Sequence, residues 1–380
     1  MACFLGVPEK RTDPVNLCNS LADILAPSVD YKIRTKFIES LKQLDKLRSD
    51  AISGHQRLAS GITLDEALSR YIDQLFYLEA AVPPQHLQVA FVWRNAFSIG
   101  SVVVYHIPFT QNTLSFEKIC VLFNLAAFLS QRAARTADSI EEPNGLREAA
   151  RLFQRSAGLF QYIRHVNSVS AEQGITGDLR LRTLQSLENL CLAQAQECVY
   201  LKTLRDGKSA SLLARLAERT RELYETAWKH MSEERACSYQ WMYVMQFKET
   251  AFKGATQFHQ AIADGEEGRV GDELARLALS MKAFRVANKH AENITTFVIG
   301  PHWRDMCKQA EQLHTKRHRE NDCIYKERVT LEGELPAISA AVVAKIIPLE
   351  MPLTSQENLF EGLPQQFKGE STECDGIPLD

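Results

Sequence analysis

Seven long amphipathic patterns follow one another between residues 115 and 319. Each repeats apolar residues at steps of three and four, and successive starts lie about thirty residues apart. The predicted helices are Ser115–Arg135, Leu146–His165, Leu179–Arg205, Ser211–Met231, Tyr239–Ala263, Val270–Glu292 and Trp303–Arg319. Such spacing predicts a mainly α fold, an elongated solenoid of helical hairpins with a tetratricopeptide-like core.

The stretch from Asn189 to Leu216 shows one hairpin in full. Apolar residues at helical spacing end in a charged last turn, and Gly207 follows, a residue that readily adopts the left-handed conformation closing a helix. Ser209 or Ser211 can cap the next helix. A connection this short makes the two helices antiparallel neighbours.

The chain is less regular on both sides of the helical series. The N-terminal part predicts short strands at Phe4–Val7, Val89–Trp93 and Val102–Ile107 and helices at Lys32–Ser53 and Leu64–Glu79. After Tyr325 the pattern becomes irregular and rich in proline. We expect this region to pack back along the domain in extended form.

Composition narrows the class of protein. The chain has 45% hydrophobic and 24% charged residues and a net charge of -3, which argues against generic nucleic-acid binding. Its 9 cysteines form no Cys-x-x-Cys pair, as expected for free thiols in a reducing cytosol. The amino terminus has no long apolar core, and Ala2 stands where myristoylation requires glycine. We therefore predict a cytoplasmic protein.

Five motifs in a fixed order resemble the BRO-one domain of Alix-type adaptor proteins. They are Phe91-Val-Trp-Arg-Asn-Ala-Phe97, Phe116-Glu-Lys-Ile-Cys-Val-Leu-Phe-Asn124, Leu192-Ala-Gln-Ala-Gln-Glu197 with the following Leu-Lys and Arg-Asp pairs, Phe258-His-Gln with Gly271-Asp-Glu-Leu-Ala-Arg-Leu277, and Glu320-Asn-Asp-Cys-Ile-Tyr325. The resemblance implies a single domain over residues 1–365, with a mixed part at 1–114, a helical-hairpin core at 115–320 and an extended return segment at 321–365. Residues 366–380 are expected to be a disordered tail.

The resemblance also implies a function. Alix-type domains are non-catalytic adaptors that bind the amphipathic C-terminal helix of an ESCRT-III charged multivesicular body protein in endosomal sorting and membrane scission. A cytoplasmic protein recruited to endosomes is therefore expected. No cofactor, metal, nucleic acid or small-molecule substrate is implied.

Carried over to this chain, the partner-binding patch comprises Val199, Leu212 and Leu216, with Arg147 and Arg151 as basic contacts. Leu212 and Leu216 are one turn apart and would form a ridge, while Arg147 and Arg151 obey the same spacing. A groove with an aliphatic floor and an arginine wall suits a helix that is apolar on one side and acidic on the other. The alternative is that the leucines belong to the core and the arginines to a solvated face.

Two departures and two further features bear on this prediction. Val199 stands where the best-known Alix proteins have phenylalanine, and Pro143 where they have an acidic residue, so a weaker or different partner is expected. Tyr325 matches a tyrosine that is a kinase target in the family, although a packed tyrosine is the commoner state of such a residue. The 102–113 loop occupies the place of a binding hairpin in the family, but its sequence departs completely.

No enzyme motif is present in the sequence. Gly207-Lys208-Ser209 ends like a phosphate-binding loop, but Lys202 stands where the first glycine would be required. His314 and His318 share a helix face, but surrounding basic residues oppose a bound cation.

Two other functions remain open. The chain could be a helical-repeat scaffold that binds another partner through a concave face or the 102–113 loop. It could also be a module that binds an anionic membrane surface through a basic cluster. That cluster would comprise Lys202, Arg205, Lys208, Arg215 and Arg219.

Overall fold

The computed structural model describes residues 3–52, 62–97, 108–138, 144–169, 176–234, 236–364 and 366–367. Ten α-helices and one two-stranded antiparallel sheet lie within these residues. The helices are α1 (Leu17–Leu21), α2 (Tyr31–Ile52), α3 (Leu64–Ala81), α4 (Leu114–Asp138), α5 (Gly145–Val169), α6 (Leu181–Arg205), α7 (Ala210–Glu234), α8 (Tyr239–Glu266), α9 (Val270–Glu292) and α10 (His302–Glu320). The strands are β1 (Phe91–Trp93) and β2 (Phe109–Gln111).

The predicted helices and the mainly α fold class are confirmed. The predicted strand at Phe4–Val7 is wrong, because those residues are extended but bind side chains rather than another strand: Val7 N donates to Ser130 Oγ at 2.9 Å. The predicted strand at Val102–Ile107 lies outside the described residues. The short helix α1 was not predicted, since it is only 5 residues long and carries no full amphipathic repeat.

The described residues form two compact units. The larger unit draws on Met1–Glu9, Asn95–His106 and Ala126–Leu349, and the smaller on Lys10–Arg94, Ile107–Leu125 and Glu350–Asp380. In the larger unit α5 to α10 pack mainly on their neighbours in sequence, as in a stacked-hairpin array. The return segment, predicted to be extended over 321–365, begins with a π-helical turn at Asn321–Tyr325 and is mostly extended after it. Its part from 321 to 349 lies in the larger unit.

Within α4, the stretch Leu114–Ala137 is the one span of the described residues that is long and apolar enough to cross a membrane by length and composition. Of its most apolar window, 78% is buried inside the fold. A buried core helix of this length passes the same test.

Side-chain amides hold the extended segments of the larger unit against its helices. The buried Gln194 binds both backbone groups of Leu5. Gln196, also fully buried, donates to Ala341 O at 2.8 Å and accepts from Val343 N and Ala344 N at 3.2 and 2.8 Å. Both glutamines belong to the Leu-Ala-Gln-Ala-Gln-Glu motif, so the motif fixes two distant segments of the chain.

Buried carboxylates have a similar structural role. In the larger unit Glu197, the last residue of the same motif, accepts from Tyr224 Oη at 2.6 Å and pairs with Lys248. In the smaller unit Asn124, the last residue of the second motif, binds both backbone groups of Lys10, at 2.7 and 3.0 Å. Both motifs thus supply framework contacts.

Glu117, from the second motif, is a buried carboxylate of the smaller unit with three side-chain partners. It accepts from Arg48 Nε at 2.9 Å, from Tyr71 Oη at 3.0 Å and from Trp93 Nε1 of the first motif at 2.6 Å. Burial first, and the Glu117 charge second, hold the pKa of Tyr71 well above its usual value. Two sequence motifs therefore meet at one buried ion pair.

Candidate functional site: a groove between α5 and α6

A groove of about 830 Å³ lies in the larger unit between the start of α5 and the end of α6. Its apolar lining comprises Leu146 and Ala150 of α5, Cys198 and Val199 of α6, and Ile347 of the return segment. Its basic lining comprises Arg147, Arg151 and Lys202. The structure therefore brings three of the five predicted partner-binding residues, Val199, Arg147 and Arg151, to one surface.

Helix periodicity explains this division on α5. Leu146 and Ala150 are four residues apart and buried, whereas Arg147 and Arg151 are each displaced by one residue and exposed. The same helix thus supplies both the apolar floor and the basic rim.

The rim carries uncompensated positive charge. Lys202 Nζ lies 2.9 Å from Asp206 Oδ2, in an exposed pair of the kind that is worth at most about 1 kcal/mol. Among the described residues, no carboxylate lies within ion-pair distance of Arg147 or Arg151. Glu148 also lines the groove and reduces the positive charge of the rim.

The two predicted leucines have different positions. Leu212, on α7, is 36% exposed, but it is not among the described residues that line the groove. Leu216 is 1% exposed, and the prediction that it forms an exposed ridge with Leu212 is wrong. The buried stripe of α7 runs through Leu213, Leu216 and Ala217, and Leu212 lies at its edge, because a four-residue step turns the helix by about 40° beyond a full circle.

The return segment supplies residues of this surface that were not predicted as site residues. Ile347 lines the groove, and Val343, which is 51% exposed, is bound through its N–H to Gln196, one turn before Val199. The sequence signal was the pair of β-branched runs at Val342-Val343 and Ile346-Ile347. Periodicity did not indicate where these runs lie on the helices, because an extended segment has no helical register.

A helical glycine lets the return segment approach α5. Ile347 N donates to Gln154 O at 3.3 Å, and Gln154 Nε2 donates to Lys345 O at 2.7 Å. A Cβ atom on Gly158, one turn further along α5, would lie 1.9 Å from Ile347 O. Glycine at this position is therefore required for Ile347 to reach the edge of the groove.

Tyr325 lies at the end of a single π-helical turn, Asn321–Tyr325, and is 48% exposed. The turn is closed by Asn321, whose side chain binds both backbone groups of Glu327 at 3.0 Å. The hydroxyl-bearing ring is thus accessible from solvent, and phosphorylation at Tyr325 stays a prediction. Pro143 and residues 102–107 of the predicted 102–113 loop lie outside the described residues.

The other predicted features bind partners within the chain. His318 Nδ1 lies 2.9 Å from Asp322 Oδ2, and the described residues contain no group of three or more potential metal ligands. Burial raises the pKa of the Cys191 and Cys237 thiols to about 12, so neither forms a thiolate near neutral pH.

The predicted basic cluster is partly neutralised. Lys202 pairs with Asp206, Arg219 pairs with Glu222 at 3.0 Å, and Arg215 Nε donates to Ser339 O at 3.3 Å.

Comparison with known proteins gives a consistent result. The sequence model of one protein family, the BRO1-like domain, matches residues 4–365 of this chain. Apoptosis-linked gene 2-interacting protein X 1 of Caenorhabditis elegans is 32% identical over 358 residues, covering 92% of this chain and 40% of that protein. Vacuolar protein-sorting protein bro1 of Emericella nidulans is 32% identical over 366 residues, covering 91% of this chain and 35% of that protein. The chain thus spans well under half the length of these relatives.

Solved structures show the same fold. The structure of the ALIX BRO1 CHMP4C complex superposes with a TM-score of 0.83 at 28% identity, covering 95% of this chain and 99% of that one. The structure of ALIX in complex with the SIVmac239 PYKEVTEDL late domain gives a TM-score of 0.85 at 26% identity, covering 96% of this chain and 52% of that one.

Proposed function

The chain belongs to the BRO1-like domain family, and from that premise we propose that it is a non-catalytic adaptor for ESCRT-III in endosomal sorting. Its partner would be the amphipathic C-terminal helix of a charged multivesicular body protein. The relatives named for vacuolar protein sorting and for a complex with CHMP4C support this assignment. The observation that carries it is the groove between α5 and α6.

The groove has the chemistry that an amphipathic acidic helix requires. Leu146, Ala150 and Val199 offer an apolar floor, and Arg147 and Arg151 stand beside it with no carboxylate partner among the described residues. A helix of the partner would bury its Leu/Met face on the floor and bring acidic residues to the arginines. Binding of this kind depends on a few buried apolar anchors, with the charges contributing orientation and association rate.

The apolar surface continues beyond the groove toward α7. Val343 is held one turn from Val199 by Gln196, and Arg215 O, one turn after Leu212, accepts from Ala341 N at 2.9 Å. The return segment therefore passes close to Leu212. A partner helix of several turns would contact Val199, Val343 and Leu212 together.

Calorimetric titration with a synthetic C-terminal helix of a charged multivesicular body protein tests the proposal. The wild-type chain should bind, and Leu212→Asp should abolish binding with little change in thermal unfolding, because Leu212 is at the surface. Leu216→Asp is the contrast: it places a charge in the core and should lower the stability of the chain. Failure of the well-folded wild-type chain to bind would refute the proposal.

Charge-reversal variants test how much the basic rim contributes to binding of the partner helix. Arg147→Glu and Arg151→Glu should each weaken binding, and a partner helix with its acidic residues changed to lysine should recover part of the loss. Arg155→Glu is the matched control, because Arg155 continues the same exposed stripe of α5 but is not among the described residues that line the groove. Equal losses in all three variants would indicate a long-range effect of net charge rather than a contact.

Val199 offers a variant that should improve binding. It is half-buried at the floor of the groove, where the resemblance implies a phenylalanine in the best-known relatives. Val199→Phe should tighten binding of the same helix, because a larger apolar side chain buries more surface in the complex. Unchanged or weaker binding would show that the partner of this chain is matched to valine.

A further inference from the structure

Among the described residues of the larger unit, the two most exposed large apolar side chains belong to two segments outside the groove. Val298, in the loop between α9 and α10, is 79% exposed, and Tyr239, the first residue of α8, is 74% exposed. Side chains of this kind, fully presented to water, mark contact surfaces when they occur together.

The segments that carry these two residues are joined by the side chain of Gln240. Gln240 Oε1 accepts from Thr295 N at 2.7 Å and from Thr296 N at 3.2 Å. Gln240 Nε2 donates to Asn293 O at 2.9 Å. The α9–α10 loop is thereby fastened to the start of α8, next to Tyr239, while Val298 projects into solvent. We name Tyr239 and Val298 the apolar tip.

A basic stripe leads to the tip along α9. Lys282, Arg285 and Lys289 are spaced by three and four residues, so they share one face of the helix, and all three are exposed. Within the described part of the chain, no carboxylate lies within ion-pair distance of any of them. Three basic residues of α7 differ in this respect: Arg219, Arg221 and Lys229 each pair with a glutamate at 2.6 to 3.0 Å.

The stripe extends onto α10. Arg304 and Lys308 are exposed and four residues apart in the first two turns of α10, directly after the loop. Helix α10 packs on α9, so these residues lie on a helix next to the stripe. Three exposed carboxylates, Glu292, Asp305 and Glu311, lie on the same segments and reduce the positive charge, but the five basic residues outnumber them.

We propose that the apolar tip and this basic stripe together bind an anionic lipid membrane. Val298 and Tyr239 would enter the headgroup layer, where a tyrosine ring and an aliphatic side chain are both favoured. The lysines and arginines would lie against lipid phosphates and carboxylates. The combination identifies a lipid surface rather than a soluble polyanion, because a polyanion would gain nothing from exposed valine and tyrosine. This surface does not share residues with the groove or with the basic cluster around Lys208.

Co-sedimentation of the purified chain with vesicles tests the proposal. Phosphatidylcholine vesicles containing phosphatidylserine should bind the chain, phosphatidylcholine alone should bind it much less, and added salt should weaken binding. Each basic residue near such a surface contributes about fivefold, the equivalent of ~1 kcal/mol. The triple variant Lys282→Ser/Arg285→Ser/Lys289→Ser should therefore bind about a hundredfold more weakly. Val298→Ser should cost about tenfold.

Two control variants remove the same kinds of side chain at other exposed positions. Lys208→Ser removes an exposed charge at the turn between α6 and α7, and Leu331→Ser removes an apolar side chain that is 61% exposed. Both should bind vesicles as the wild type does. The proposal is overturned if the wild type ignores anionic vesicles, if Lys208→Ser loses as much per charge as the stripe, or if Val298→Ser and Tyr239→Ser leave binding unchanged. The last result would show a purely electrostatic surface with no insertion into lipid.

Discussion

Gly158→Ala should destabilise the chain, although alanine is the better helix former. Replacing a mid-helix glycine normally stabilises a helix by about 1 kcal/mol. Here the new Cβ would lie 1.9 Å from Ile347 O, and real Cβ atoms essentially never come closer than 3.0 Å to a neighbour, so the return segment must retreat by at least the difference, 1.1 Å. The hydrogen bonds from Ile347 N to Gln154 O and from Gln154 to Lys345 O would break.

Two net hydrogen bonds are worth about 2 kcal/mol, and the lost packing of Ile347 adds to this. After the gain in helix propensity is subtracted, a net loss of about 1 to 2 kcal/mol is expected. Urea unfolding measures it, and amide exchange at Ile347 should be faster in the variant. Gly333→Ala is the control, because a Cβ there meets nothing within 4 Å. A Gly158→Ala variant as stable as the wild type would refute the close approach of the return segment to α5.

Two further predictions concern buried polar groups. Glu117→Gln should cost about 3 to 5 kcal/mol in urea unfolding, because it leaves Arg48, whose side chain is 2% exposed, without its anion. The partly exposed Arg94–Asp13 pair is the control, and Asp13→Asn should lower the stability much less. Burial lowers the pKa of His259 to about 4, against 6.5 as its ordinary value. The unfolded chain therefore binds a proton that the folded chain excludes between these values, so the chain should lose about 2 kcal/mol of stability from pH 8 to pH 5 through this group, and His259→Gln should reduce that loss. Equal pH dependence in wild type and variant would contradict this assignment.

The helices could be predicted because their apolar stripes are long and regular. The bounds of α9 agree with the prediction, and those of α8 differ by three residues at one end. The agreement is good because a period of 3.6 residues is sustained over many turns and ends at glycine-containing linkers. Leu216 shows where the same reasoning fails. A pattern of leucines gives the apolar side of a helix, but it does not give the angle at which the neighbouring helices cover it, so Leu212 at the edge and Leu216 inside look alike in sequence.

The path of the return segment could not be predicted for a different reason. It is fixed by contacts between residues far apart in the chain, such as Gln196 with Val343 and Gly158 with Ile347, and no local pattern encodes such pairs. The two glutamines belong to a motif that the sequence shows. Only the structure shows that their side chains bind the backbone of extended segments. Arg147 and Arg151 share a face because they are four residues apart on one helix, and the contact of α5 with α6, its neighbour in sequence, brings Val199 to the same groove.

The motif residues and the groove residues therefore have separate roles. Gln194, Gln196 and Glu197 are buried and bind other parts of the chain. Gln194 binds Leu5, Gln196 binds the return segment, and Glu197 binds Tyr224 and Lys248. None of them faces a partner, but Gln196 holds Val343 one turn from Val199 and so determines the shape of the apolar surface. The exposed positions around the groove can change without disturbing this framework. It follows that the framework keeps the groove in place, and that under the proposed function Val199 and the arginines at its rim would select the partner helix.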